Sequence, residues 1–241
     1  METIDYTLLI QTVPEVSKKD GSVYTCTVGY SPQKGWIRVY PMPYNKGLKR
    51  WNTYRINVEK NKQDSRAESW KLSSYSRHEQ WKNFNQDVQL VGSIREADRK
   101  YMKALMLNNT MQAISQLNKD RRSIGFLYVP KAHAYWDVNE NYVNPDQLLL
   151  FQDIQEDYDP YTKQDKQFHS RIKFMDQDGT HDLMLNNWQY YMAQINFGHK
   201  PEAFRYINND PQILMLGNMF SYRNTWIVLE SFRQPHNSLL L

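Results

Sequence analysis

The first third of the chain alternates apolar and polar positions at a period of two, the signature of strands. Tyr6–Val13 is an apolar run ended by Pro14, and Lys18-Lys19-Asp20-Gly21 reads as a turn. In Val23–Tyr30, Tyr24, Cys26 and Val28 share one face, and Val23, Thr25 and Thr27 share the other. Ser31-Pro32 and Gly35 mark a short connection into Trp36–Tyr40, which makes the two segments a hairpin. Pro41 and Pro43 are expected to close that strand, because proline donates nothing to a central ladder. Tyr54–Val58 follows, with Ile56 and Val58 on one face and Arg55 and Asn57 on the other.

The period then changes. Ser93 with Glu96 three residues later fits a capping box ahead of an apolar stripe of Ile94, Ala97, Tyr101, Ala104 and Leu105. The stripe continues through Met111, Ile114 and Leu117, with a break expected at Asn108-Asn109. Ile124–Val129 is a strand stopped by Pro130, and residues 131–165 are acidic and turn-rich. Gln167–Met175 predicts a strand and Asp176–Thr180 a turn. A helix is then expected to carry Leu185, Trp188, Met192 and Ile195, with Gly198 as its C-cap. Ile213–Leu216 and Thr225–Phe232 are apolar strands. Strands and helices without regular βαβ alternation predict an α+β fold. Its N-terminal half is expected to be a strand-rich twisted sheet or small barrel, followed by helices and a C-terminal strand pair. The whole forms one compact unit or two coupled lobes, divided at 1–130 and 131–241.

Composition narrows the class. At 241 residues the chain is long enough for a sizeable core. No window reaches the roughly 18 apolar residues of a membrane span, and Met1–Tyr6 has no basic leader, so a cytoplasmic location and no membrane partner are expected. The single cysteine, Cys26, excludes an internal disulfide and a cysteine metal cluster. The 7 Trp and 17 Tyr serve cores, interfaces and base-stacking platforms alike. Charge is distributed unevenly: residues 21–80 hold 11 Lys/Arg against 4 Asp/Glu, and residues 137–182 hold 4 against 11. The basic stretch either attracts a polyanion or faces the acidic one.

No phosphate loop, dinucleotide fingerprint, nucleophile elbow or paired C-x-x-C is present, so no cofactor and no resident metal are expected. The strongest positive feature is Trp36-Ile37-Arg38-Val39-Tyr40. With Ile37 and Val39 in the core, Trp36, Arg38 and Tyr40 form an aromatic–cation–aromatic row. Such a row stacks on bases while its guanidinium holds phosphate, and Trp51, Arg55, Lys60, Lys62 and Arg66 extend the surface. Alternatively the second lobe covers Trp36 and Tyr40 and supplies acidic partners to Arg38. Asp64 and Glu68 offer carboxylates for Mg²⁺, or an ordinary ion pair. Asp176, Asp178 and His181 either begin a cation site or form the entry to a helix, with Thr180 as cap and Asp182 in the first turn.

These residues carry a resemblance. Gly35-Trp36-Ile37-Arg38-Val39-Tyr40-Pro41-Met42-Pro43, Lys60-Asn61 and Asp64-Ser65-Arg66-Ala67-Glu68-Ser69 resemble an uncharacterised family of bacterial and archaeal hypothetical proteins. Its members carry W-[IV]-R-[IL]-Y-P-x-P and D-x-R-x-E-S segments. Phe168 to Phe174, Gly179 to Trp188, Gly217-Asn218 and Thr225-Trp226 are similar as well. Cysteines beside the position of His181 imply a metal knuckle in such relatives; here Met175, Asp176 and Asp178 stand there. The resemblance implies kinship and no activity.

Three functions follow as expectations. The first is a non-enzymatic nucleic-acid-binding or accessory module, with DNA or RNA as partner. The second is a metal-dependent hydrolase or nuclease using Asp64, Glu68, Asp176, Asp178 or His181, which requires these groups to meet. The third is a protein-interaction subunit, suggested by the aromatic excess and the apolar tail Leu239-Leu240-Leu241.

Overall fold

The computed structural model describes residues 1–16, 23–43, 47–62, 64–73, 84–138, 168–219 and 222–234. The turn expected at Lys18–Gly21, most of the acidic stretch and the apolar tail lie outside the described residues.

The expected N-terminal strands close into a small barrel. In chain order they are β1 (Glu2–Gln11), the two-residue β2 (Glu15–Val16), β3 (Val23–Ser31), β4 (Gly35–Pro43), β5 (Asn52–Lys60) and β6 (Ser69–Leu72). The order β1-β3-β4-β6-β5 is closed by pairing of β5 with β1, and only β4 and β6 run parallel within the ring. Closure removes the free edges that an open sheet exposes. Ile4, Tyr6, Leu8, Ile37, Val39, Tyr54, Ile56, Val58 and Leu72 fill the interior. Strand β3 contributes small groups instead, and Gly29 is obligatory there. A Cβ at Gly29 would press on the Thr7 carbonyl and lie 2.6 Å from the Tyr6 ring.

Two sequence-based expectations change in this region. Strand β4 does not stop at Pro41 but runs through Pro43. Its register with β3 jumps between Thr25 and Thr27, so Tyr40-Pro41 oppose Cys26 alone. Proline is tolerated at such a bulge because the ladder is already interrupted. The bulge also returns Met42 to the barrel interior. The capping box does not form: β7 (Val88–Ser93) holds Ser93 opposite Asn52, and the Ser93 hydroxyl donates to Asn52 Oδ1 at 2.5 Å.

After a single helical turn, α1 (Phe84–Asp87), and β7 comes α2 (Glu96–Asn108), the longest helix among the described residues, which ends at the expected Asn108-Asn109. It buries Met102 and Met106, whereas Tyr101, expected in the stripe, is 64% exposed. The short β8 (Thr110–Met111), helix α3 (Ile114–Lys119) and strand β9 (Ile124–Val129) follow. Strand β10 (Ala132–Val138) pairs with β11 (Phe168–Asp176), which pairs with β12 (Gly179–Met184). The chain then forms α4 (Trp188–Phe197), a 3₁₀ turn at Pro201–Phe204, α5 (Arg205–Asn209), β13 (Gln212–Asn218) and β14 (Trp226–Arg233). Gly198, with φ 72°, follows α4 as the expected C-cap. Gly179–Met184 is a strand and not a helix entry, so Asp182 lies opposite Lys173 in a hairpin.

The sheet β14-β13-β9-β8 lies between two cores. Ile124, Phe126, Ile213 and Met215 face the barrel, meeting Leu9, Val28 and Trp36. Leu127, Val129, Leu214 and Leu216 face Ala134, Ile172, Phe174 and Phe204 behind. Burial on both faces explains why β13 reads as an unbroken apolar run. No helix among the described residues is long and apolar enough to cross a membrane.

Candidate functional site

The row Trp36, Arg38, Tyr40 exists, and it runs from the interior to the surface. Ile37 and Val39 point into the barrel as period two requires, which leaves the three partners on its outer face. Trp36 is only 8% exposed and meets Tyr30 and Phe126 edge-on at 4.9 and 4.7 Å. Arg38 is 5% exposed, and Tyr40, at 37%, reaches solvent. A three-residue platform open to solvent is therefore not formed, because the central sheet covers the first two positions. Arg38 does not meet acidic residues of that sheet. Its Nη1 donates to the Asn218 carbonyl at 3.2 Å, and its Nη2 donates to the Ser123 carbonyl.

The loop between β5 and β6 completes one wall. Asp64 Oδ1 accepts the Arg66 N–H at 3.1 Å, an Asx-turn that folds the loop on itself. The same carboxylate accepts from Arg66 Nε at 2.8 and 2.9 Å and from Ser69 Oγ at 2.6 Å. Burial would raise the Asp64 pKa, but the Arg66 and Ser69 hydrogen bonds outweigh it and hold it at about 2. Arg66 Nη1 then reaches the Asn218 carbonyl at 3.0 Å, the acceptor Arg38 uses. Glu68 faces away and accepts from Arg122 Nε at 3.2 Å and Ser123 Oγ at 2.8 Å.

Between this wall and the central sheet lies a cleft of about 580 Å³. Thr12, Cys26, Arg38, Tyr40, Asn61, Asp64 and Arg66 line the barrel side. Asn186, Gly217, Asn218, Ile227 and Leu229 line the other, with Met184, Met219 and Tyr222. Tyr40, Met184, Met219 and Tyr222 are exposed large side chains, so the mouth is aromatic and thioether while the depth holds guanidinium groups. Gly217 permits the close approach: a Cβ there would sit 2.7 Å from Leu229 Cδ1 and 3.1 Å from Arg38 Nη2.

Of the residues expected from sequence, Arg38, Tyr40, Asp64 and Arg66 meet in the cleft. Exposed Lys60 and Lys62 flank Asn61 at its edge; the Lys60 ammonium lies 4.1 Å over the Trp70 ring and donates to the Ala67 carbonyl. Trp51 does not line it and packs edge-on against Phe232 at 6.1 Å; Arg55 pairs with Asp5 at 3.0 Å on the outside of the barrel. Cys26, Asn186, Gly217, Met184, Met219 and Tyr222 were not singled out as site residues. Only the Gly217-Asn218 segment carried a signal, because each of the others is ordinary in its own segment.

Asp176, Asp178 and His181 do converge, with ligand atoms within 4.8 Å of one another, but Asp64 and Glu68 do not join them. Their oxygens are engaged. Asp176 accepts from Ile114 N at 3.0 Å and His181 Nε2 at 2.8 Å, and Asp178 accepts from Ser115 N at 2.8 Å and Ser115 Oγ at 2.7 Å. The β11–β12 turn thus satisfies the first N–H groups of α3.

A closed five-stranded barrel whose successive strands lie in the order 1-2-3-5-4, with the third and fifth parallel, is an OB-type Greek-key barrel. The cleft opens on its second and third strands and on the loop between its fourth and fifth. Residues 3–108 match a domain of unknown function (DUF8758), a stretch that contains the barrel, β7 and α2. A comparison with curated proteins finds no match. Among solved structures, the chain is similar to the tetrameric p202 HIN2 at 9% identity and TM-score 0.30, over 97% of this chain and 91% of that one. It is also similar to a murine DNA-binding protein solved with double-stranded DNA, at 10% identity and TM-score 0.35, over 97% and 98% of the two chains. Likenesses this slight carry no functional argument; the barrel is identified by its strand order.

Proposed function

We propose that this protein binds single-stranded nucleic acid, with the cleft between barrel and central sheet as its binding site. One observation carries the reading. The cleft lies on the face where OB-type barrels take oligonucleotides, the second and third strands and the loop between the fourth and fifth. Its chemistry suits that ligand. Tyr40 and Tyr222 at the mouth offer stacking surfaces, and Lys60, Lys62 and Arg223 stand beside the loop for phosphates. The volume of about 580 Å³ falls within the roughly 300–1,000 Å³ of small-ligand sites. It accommodates unstacked bases and not a duplex. Binding without hydrolysis is supported by the carboxylates, which are tied to Arg66, Arg122 and the start of α3.

The test is fluorescence anisotropy with labelled single-stranded DNA and RNA and the matching duplexes. Single strands should bind more tightly than duplexes, and Tyr40→Ala should lose about fivefold or more in affinity without loss of fold. Equal retention of duplex and single strand, unchanged by Tyr40→Ala, would sink the reading.

A further inference from the structure

Among the described residues, the charged side chains lining the cleft are two cations, Arg38 and Arg66, and one carboxylate, Asp64. Asp64 is committed to Arg66 and Ser69, and Glu68 to Arg122 and Ser123. Among the described residues, no carboxylate accepts a hydrogen bond from Arg38, which is 95% buried. Burial holds its pKa below the ordinary arginine value and outweighs Asp64 and Glu68, which favour its charge through space. Its two terminal nitrogens donate to neutral carbonyls, and its Nε is buried without a hydrogen-bond acceptor. A buried cation is costly unless a counter-charge and acceptors meet it. Buried donors in folded proteins almost always find a partner, so an orphan that lines a cavity indicates a ligand atom. Phosphate suits this donor, because a guanidinium presents its Nε and Nη hydrogens as a planar fork that matches two phosphate oxygens.

We propose that Arg38 anchors one phosphate group of a bound nucleotide, whose base lies outward against Tyr40 and Tyr222. The proposal rests on the nucleic-acid reading of the cleft and adds the contact that fixes a nucleotide within it. Gly217 and the Asn218 carbonyl hold the guanidinium in place from the opposite wall.

The test is isothermal titration of the full chain with AMP, adenosine and inorganic phosphate, for the wild type and Arg38→Gln, with thermal melting as the folding control. AMP should bind the wild type at least tenfold more tightly than adenosine, and phosphate should displace it. Arg38→Gln should remove the preference and leave adenosine binding in place. If Arg38→Gln does not fold, the wild-type competition decides, together with Tyr40→Ala, which should weaken AMP and adenosine by the same factor. AMP that does not bind, AMP and adenosine of equal affinity, or phosphate that fails to displace AMP overturns the proposal. A single-stranded oligonucleotide arm separates the two readings. Oligonucleotide binding indifferent to Arg38→Gln removes the anchor and leaves nucleic-acid binding. Phosphate-dependent AMP binding with no oligonucleotide retained leaves the anchor and removes nucleic-acid binding.

Discussion

Arg38 on the barrel donates to the backbone carbonyl of Asn218, 180 positions along the chain and 3.2 Å away. Arg66 donates to the same oxygen at 3.0 Å. One carbonyl at the end of β13 thus joins the barrel strand, the loop that shapes the cleft and the central sheet. Asn218 is itself fixed by donating from Nδ2 to the carbonyls of Arg122 and Arg223.

The cleft wall should respond to acid. Asp64 has its pKa lowered from 3.8 to about 2, so the folded state favours its ionised form. The resulting stabilisation is present above about pH 4 and is lost as pH falls toward 2. A shift of this size corresponds to about 2 kcal/mol. Asp64→Asn should remove that acid sensitivity and lower stability at pH 7, as urea unfolding at pH 7 and pH 3 will show. An unchanged pH dependence in the variant would mean that the carboxylate is not held by Arg66 and Ser69.

Trp36 and Tyr40 share a face and should behave in opposite ways. Trp36→Ala removes a ring buried between Tyr30 and Phe126 and should cost about 3–5 kcal/mol of stability. Tyr40→Ala should leave the melting temperature nearly unchanged and weaken single-strand binding by about 1–3 kcal/mol. Thermal melts and binding titrations on both variants check the contrast. An early-melting Tyr40→Ala beside a stable Trp36→Ala would reverse the assignment.

Gly217 should tolerate no side chain. A Cβ within 2.7 Å of Leu229 and 3.1 Å of Arg38 Nη2 requires both to move. Gly217→Ala should destabilise by about 1–3 kcal/mol in urea unfolding. A variant as stable as the wild type would show that this wall of the cleft is loose.

The carboxylates of the β11–β12 turn should act as a cap for α3. Asp178→Ala removes the acceptor for Ser115 N and should lower stability in urea unfolding. The loss should be the same in EDTA and in millimolar Mg²⁺. A wild type that Mg²⁺ stabilises, paired with a variant that it does not, would instead make the turn a cation site.

The strands were legible wherever a segment has one wet and one dry face, as in Tyr54–Val58, or two dry faces, as in Ile213–Leu216. Gly179–Met184 was misread because Asp178-Gly179 suits a hairpin turn as well as a helix entry, and only pairing with β11 decides. The stripe of α2 was misplaced for a related reason. Met102 and Met106 are chosen over Tyr101 by the sheet that the helix covers, which local periodicity does not contain. At the site, the spacing of Trp36, Arg38 and Tyr40 placed them on one face. The burial of Trp36 and Arg38 comes from a sheet some 90 to 190 residues further along the chain. Tyr222 and Met219 join the cleft only through that long-range contact, and nothing in their neighbourhood marks them.

Hydrogen–deuterium exchange with and without a saturating single-stranded oligonucleotide tests the central claim most directly, because it maps where the strand lies. Protection should concentrate in peptides that contain Tyr40, Asn61–Arg66 and Gly217–Met219, with little change in β10–β12. Protection confined to β10–β12 or to the outside of the barrel around Arg55, with the cleft peptides unchanged, would contradict the account.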